Sequence, residues 1–258
     1  MSKIPVALEL YSVREELSKD LEGTLKAVKS YGYEAVEFAG YPHQYSAERI
    51  AKALKDNDLY CCSWHVPIEA FADDKIEETI KYHKAAGNKF LIVPWVPEKQ
   101  LESYETIKKT GEMFNKISEK LAVHDMYTGY HNHNAEFKAL PDSPLTAWSA
   151  LRECTNDNFI MQMDTGNALS GDADVNKEIL SAKGRCQIIH LKPYSLKTGY
   201  ATLIGTDDID YKTIMPFCKK EGKTMIYVIE YECKELYSEL EGVKLCYEGL
   251  MNNYADLL

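Results

Sequence analysis

The chain has 258 residues, 45% hydrophobic and 27% charged, a composition that excludes a disordered or fibrous protein. Lysine and arginine number 30 against 40 aspartates and glutamates, so the net charge is −10 and nothing in bulk attracts the chain to nucleic acid or an anionic membrane. The longest apolar run, Phe90 to Val96 with Pro94 inside it, is too short to cross a bilayer, and no basic-then-apolar leader is read after Met1. The seven cysteines form no C-x-x-C pair and are expected to be reduced thiols of a cytoplasmic protein.

In chain order, strand-like runs fall at Val6–Leu10, Ala35–Ala39, Tyr60–Trp64, Phe90–Val93, Met126–His131, Phe159–Met163, Gln187–Leu191 and Met225–Ile229. Segments of helical period separate them. Ala51, Leu54 and Leu59 follow a polar start at Ser46, and Ile107, Met113, Ile117 and Leu121 recur at threes and fours. Gly32, Gly87, Gly184 and Gly222 stand where a left-handed helix cap would want glycine. Strand and helix alternating at about thirty residues per unit predict parallel βαβ connections, and the length suits a single (β/α)₈ barrel spanning residues 1–258. The competing doubly wound sheet lacks its usual G-x-G-x-x-G after the first strand, where Leu10-Tyr11-Ser12-Val13-Arg14 stands instead.

A barrel gathers its chemistry at the carboxyl ends of the strands. There the sequence places Glu37 after the second strand, His65 after the third, Trp95 after the fourth and His131, His133 and Glu136 after the fifth. Asp164 ends the sixth strand, His190 and Lys192 the seventh, and Glu230 and Glu232 the eighth. A carboxylate ending an apolar strand leaves bulk water, which is costly unless a cation or hydrogen bonds compensate. Histidines and carboxylates converging from separate strands therefore suit a divalent ion: manganese, cobalt, zinc or magnesium. Each residue has a plainer role open to it: Asp164 as a turn cap, Glu232 as a solvated first-turn residue, Lys192 as a solvated lysine. His43, His83 and His124 are assigned to surface or packing roles.

The same residues carry a resemblance. Leu10–Arg14, Gly32–Glu37, Tyr130-His131-Asn132-His133-Asn134-Ala135-Glu136-Phe137, Met163–Asn167, Ile189–Lys192 and Ile229–Glu232 together resemble the sugar phosphate isomerase/epimerase family, the xylose isomerase-like barrels related to AP endonuclease family 2. The likeness covers nearly the whole chain. It implies a barrel whose metal is held by residues of strands five to eight, here Asp164, His190 and Glu230 with either His131 or Glu136. Many members carry glutamate where His131 stands. The loop Gly205–Asp210 also departs from the family's Gly-x-Gly form.

The expected function is metal-dependent isomerisation or epimerisation of a sugar, sugar phosphate, keto-sugar or polyol derivative, through proton removal beside a carbonyl and an enediolate. His133 and Glu136 on one side, and Glu230 or Glu232 on the other, are the expected acid/base groups, with Lys192 steadying an oxyanion or phosphate. Tyr11, Glu37, His65 and Trp95 are expected to form the sugar-binding wall. A lyase or dehydratase using the same proton abstraction, and a non-catalytic sugar-binding barrel, are the rival readings. A DNA-cleaving reading fits neither the charge nor the ligand count. The expected partner is a small carbohydrate, with homo-oligomerisation left open.

Overall fold

In the computed structural model, which describes residues 3–258, eight parallel strands form a closed barrel in chain order. They are β1 (Val6–Glu9), β2 (Ala35–Ala39), β3 (Tyr60–His65), β4 (Phe90–Val93), β5 (Tyr127–His131), β6 (Ile160–Asp164), β7 (Ile188–Leu191) and β8 (Ile226–Ile229). Val6, Ala7 and Leu8 of β1 pair with Tyr227, Val228 and Ile229 of β8, which closes the sheet and excludes the open doubly wound alternative. Every strand lies within one residue of its expected limits.

Alternation along the strands sorts the side chains. One parity faces the surrounding helices in a continuous apolar shell that includes Leu8, Val36, Phe38, Trp64, Tyr130, Met161 and Tyr227. The other parity faces the barrel axis, where Ala7, Ala35, Cys62, Ile92, Ile160, Ile188, Ile226 and Val228 make a small dry plug. In β3 a register shift at Cys62 resets the alternation, so that Cys62 joins the plug while Trp64 faces the helices. Two residues further along the same strands the inward positions turn polar: Glu9, Glu37, Gln162, His190 and Glu230. The plug seals the barrel beneath a floor of ionisable groups. Gly129, on the inward parity of β5, makes room within this packing, since a Cβ there would stand 2.3 Å from the Ile160 carbonyl oxygen.

The helices begin where their caps direct. The Ser46 hydroxyl accepts from the Arg49 amide at 3.3 Å at the start of Ala47–Asp56, and Ser103 with Thr106 forms a capping box before Tyr104–Ala122. Gly32, Gly87 and Gly184 take φ of +109°, +78° and +76°, as their cap role requires. Gly222 does not. The helix there ends in a π turn, Cys218–Gly222, and Lys223 beyond it takes the left-handed conformation at φ +58°. Gly222 instead permits close packing, for a Cβ would lie 3.1 Å from the Thr224 hydroxyl. All seven cysteines are unpaired, and no described helix is long and apolar enough to cross a membrane.

His83 packs inside the shell beside Tyr41, Trp64 and Tyr82, with ring centroids 5.3, 4.9 and 5.5 Å away. Its Nδ1 faces the Asn88 side-chain amide at 3.2 Å, an arrangement that suits the neutral ring, and burial lowers its pKa to about 3. The folded value lies below the unfolded value of about 6.5, so as pH falls between the two the unfolded chain binds a proton that the folded chain refuses. Stability should drop by about 2 kcal/mol between pH 7 and pH 5 from this residue alone. Denaturant melts of the wild type and His83→Gln check this: the loss on acidification should be smaller in the variant by about that amount, and equal pH slopes would contradict it.

Candidate active site

The polar layer is a connected network. His65 Nδ1 lies 3.1 Å from Glu9 Oε1, and its Nε2 lies 3.0 Å from Glu37 Oε1 and 2.8 Å from Gln162 Oε1. Glu37 also accepts from His190 Nε2 at 2.7 Å, from Gln162 Nε2 at 2.8 Å and from the Ser63 hydroxyl. His190 Nδ1 lies 2.8 Å from Glu230 Oε2, and Lys192 Nζ donates to Glu230 Oε1 at 2.7 Å and to Glu232 Oε2 at 2.6 Å. Apart from half-buried Glu232, all these groups are buried.

Burial disfavours every charge here, and the outcome depends on the neighbours. Burial would raise Glu37, but His65 and His190 beside it hold its carboxyl well below the usual range. Burial likewise opposes charge on both imidazoles. The adjoining carboxylates prevail, lifting His65 well above its ordinary value and His190 to about 10. Lys192 and His190 overcome burial at Glu230 and hold it well below its ordinary value. Glu9 lacks enough compensation: burial, reinforced by the charge of Glu230, raises it to about 7. Asp164 is raised well above its ordinary value by burial, against the pull of Lys192.

Donor atoms of His131, Asp164, His190 and Glu230 all lie within 4.8 Å of one another. Two details make the set suitable for a divalent ion. Asp164 uses Oδ1 to cap the helix Thr165–Ser170 through the Asn167 amide at 2.7 Å, while its buried Oδ2 has no hydrogen-bond partner among the described residues. His131 lies with Nδ1 3.0 Å from Gln162 Oε1, which fixes a tautomer whose unprotonated Nε2 faces Asp164 Oδ2 at 3.9 Å. Burial, with His190 and His65 nearby, keeps His131 well below its ordinary pKa and therefore neutral. The Lys192 ammonium, 4.0 Å from that Asp164 oxygen, and the doubly engaged His190 ring carry the positive charge here. For His190 to hold an ion through Nδ1, the proton it shares with Glu230 would have to leave, as histidine ligation generally requires.

Not every expected residue joins this group. Glu136 is buried apart from it: Oε1 accepts from the Tyr130 hydroxyl at 2.7 Å and Oε2 from the His133 amide at 3.1 Å. It braces the loop that carries His133. The three-residue spacing, with a carboxylate reaching back to an amide, resembles half a capping box and was a readable sign of this role. Lys192 is buried against carboxylates rather than free to meet a phosphate. Glu37 lies beneath the chamber rather than in its wall, at 0% exposure. The chamber, about 360 Å³, is lined by Tyr11, His65, His131, His133, Glu230 and Glu232, together with Glu9. Trp95 is not among its lining residues. Glu9 and Gln162 were missed as site residues, although strand parity places both inward, in step with Ala7 and Ile160. Loop Gly205–Asp210 is held by its own acids, with Asp207 accepting from Tyr211, Asp208 from the Leu196 amide and Asp210 from the Thr213 amide.

Comparison with known proteins agrees with this architecture. The chain belongs to the xylose isomerase-like TIM barrel family, whose pattern matches residues 25–250. Among solved structures it is similar to a sugar phosphate isomerase/epimerase from Parabacteroides distasonis, with 20% identity, a TM-score of 0.85, and 99% of this chain and 96% of that chain covered. An L-ribulose 3-epimerase superposes with a TM-score of 0.70 at 15% identity, over 98% of this chain and 96% of the other. The IOLI protein, solved with a bound zinc atom, gives a TM-score of 0.72 at 14% identity over 99% of both chains. No curated protein matches the chain.

Proposed function

We propose that the protein is a divalent-metal-dependent carbohydrate isomerase or epimerase that moves a proton at a carbon beside a carbonyl. The observation that carries this reading is the chamber itself, where groups able to exchange protons near neutral pH stand on opposite strands above a donor set suited to an ion. His131, Asp164, His190 and Glu230 would hold the ion, of the manganese, cobalt, zinc or magnesium kind. When bound, it supplies Lewis-acid stabilisation of negative charge developing on substrate oxygens.

The chain's own groups do the rest. His133, exposed at the chamber mouth and held below its ordinary pKa chiefly by desolvation of its ring, can take a proton from the β5 side. Glu9 at the end of β1, across the barrel, holds or releases a proton in the neutral range because its pKa is raised to about 7. Lys192 fixes the orientation of Glu230 and Glu232 through two short ion pairs. Tyr11 offers wall surface and a hydroxyl to the sugar, and His65, whose ring nitrogens are both engaged by Glu9, Glu37 and Gln162, offers ring surface alone. The described lining of the chamber includes carboxylates but no lysine or arginine, which favours an uncharged sugar or keto-sugar over a phosphorylated one.

The test is solvent exchange. Aldoses, ketoses and keto-sugars incubated in D₂O with ion-loaded protein should include one that gains deuterium at carbon beside its carbonyl, read by NMR. Product formed without deuterium, once internal return of a shielded proton has been checked, would overturn proton transfer as the chemistry.

A further inference from the structure

A second cavity, about 600 Å³, lies between the loops that follow β4 and β5. Its wall is largely carbon: Trp95, Val96, Leu101, Ala139, Leu140 and Pro141. His133 lines both this cavity and the polar chamber, and Pro94, at the edge of the chamber, precedes Trp95 directly. Of the three tryptophans, Trp64 and Trp148 are wholly buried, whereas Trp95 is 56% exposed. An indole left open beside an apolar hollow is unfavourable in water and well suited to stacking on a flat ring. The polar groups of the cavity do not form a sugar site. Both Glu136 oxygens are engaged by Tyr130 and the His133 amide, and Glu98, Glu102 and Lys138 are exposed.

We propose that the substrate is a sugar bearing a flat apolar substituent, such as an aryl group, which stacks on Trp95 in this second cavity while the sugar ring occupies the chamber and His133 stands at their junction. This rests on the carbohydrate reading above and gives it a substrate class. The neighbouring volumes are each of the size that holds a small organic ligand, and their contrast in chemistry matches a molecule polar at one end and apolar at the other.

Calorimetric titration tests this with matched methyl and 4-nitrophenyl β-D-glucosides, galactosides and xylosides, with cellobiose, and with 4-nitrophenol alone. In the wild type one nitrophenyl glycoside should bind about tenfold or more tighter than its methyl partner, as an aromatic stack with its buried area allows. Trp95→Ala and Ala139→Phe, which removes the stacking face or fills the hollow, should each cut that advantage to about threefold or less. Equal affinities within every pair, an advantage that survives both variants, or an equal gain for cellobiose would overturn the subsite while leaving the carbohydrate reading standing. If 4-nitrophenol binds and quenches Trp95 fluorescence, Ala139→Phe blocks it, and no glycoside binds, the apolar site is upheld and the carbohydrate reading fails.

Discussion

Asp164→Asn should lose its divalent ion and at least about a thousandfold in turnover, the scale of several kcal/mol of charge stabilisation. The substitution separates the residue's two jobs. Asparagine is as good a helix cap as aspartate, so the bond now made by Oδ1 to the Asn167 amide is kept and the fold should hold. What disappears is the carboxylate oxygen that Oδ2 would offer an ion, the buried atom without a partner that faces His131 and Lys192. Ion content by mass spectrometry after dialysis, beside circular dichroism for folding, decides the matter. A folded variant with its full complement of ion and unchanged turnover would remove Asp164 from the site.

His133→Gln should lower turnover about a hundredfold while ion content stays at the wild-type level, since general acid/base catalysis contributes that much. His133 projects into the chamber beyond His131, with ring centroids 5.4 Å apart, and it stands outside the set of donors that converge within 4.8 Å. Glutamine retains size and hydrogen bonding but cannot titrate. Joint loss of ion and activity would make His133 a ligand. Undiminished turnover would leave proton transfer to the carboxylates.

The strands were legible because their apolar patterning is local, and the convergence of Asp164, His190 and Glu230 was legible because each ends such a strand. The structure places His131 among the converging donors and Glu136 apart from them, two residues that the family resemblance left as alternatives. Parity also explains why Glu9 and Gln162 face inward. Sequence alternation gives the face of a side chain but not its height, which the stagger between neighbouring strands sets. Glu9 pairs with Glu37 and Asp164 with His190, whereas His190 pairs with Val228, so Glu230 stands two residues above that level. Glu37, expected in the sugar-binding wall, lies in the buried floor because His65, His190 and Gln162 close over its carboxylate. Trp95 follows a loop rather than a strand register, and nothing local to it indicated the neighbouring cavity.

In the proposed function the inward residues of β5, β6 and β7, with Glu230 just beyond β8, hold one divalent ion. Anomalous scattering from crystals grown with manganese tests it directly. A single strong peak bounded by His131 Nε2, Asp164 Oδ2, His190 and Glu230 is expected. A peak ligated by Glu136, or none in the barrel mouth at saturating manganese, would contradict it.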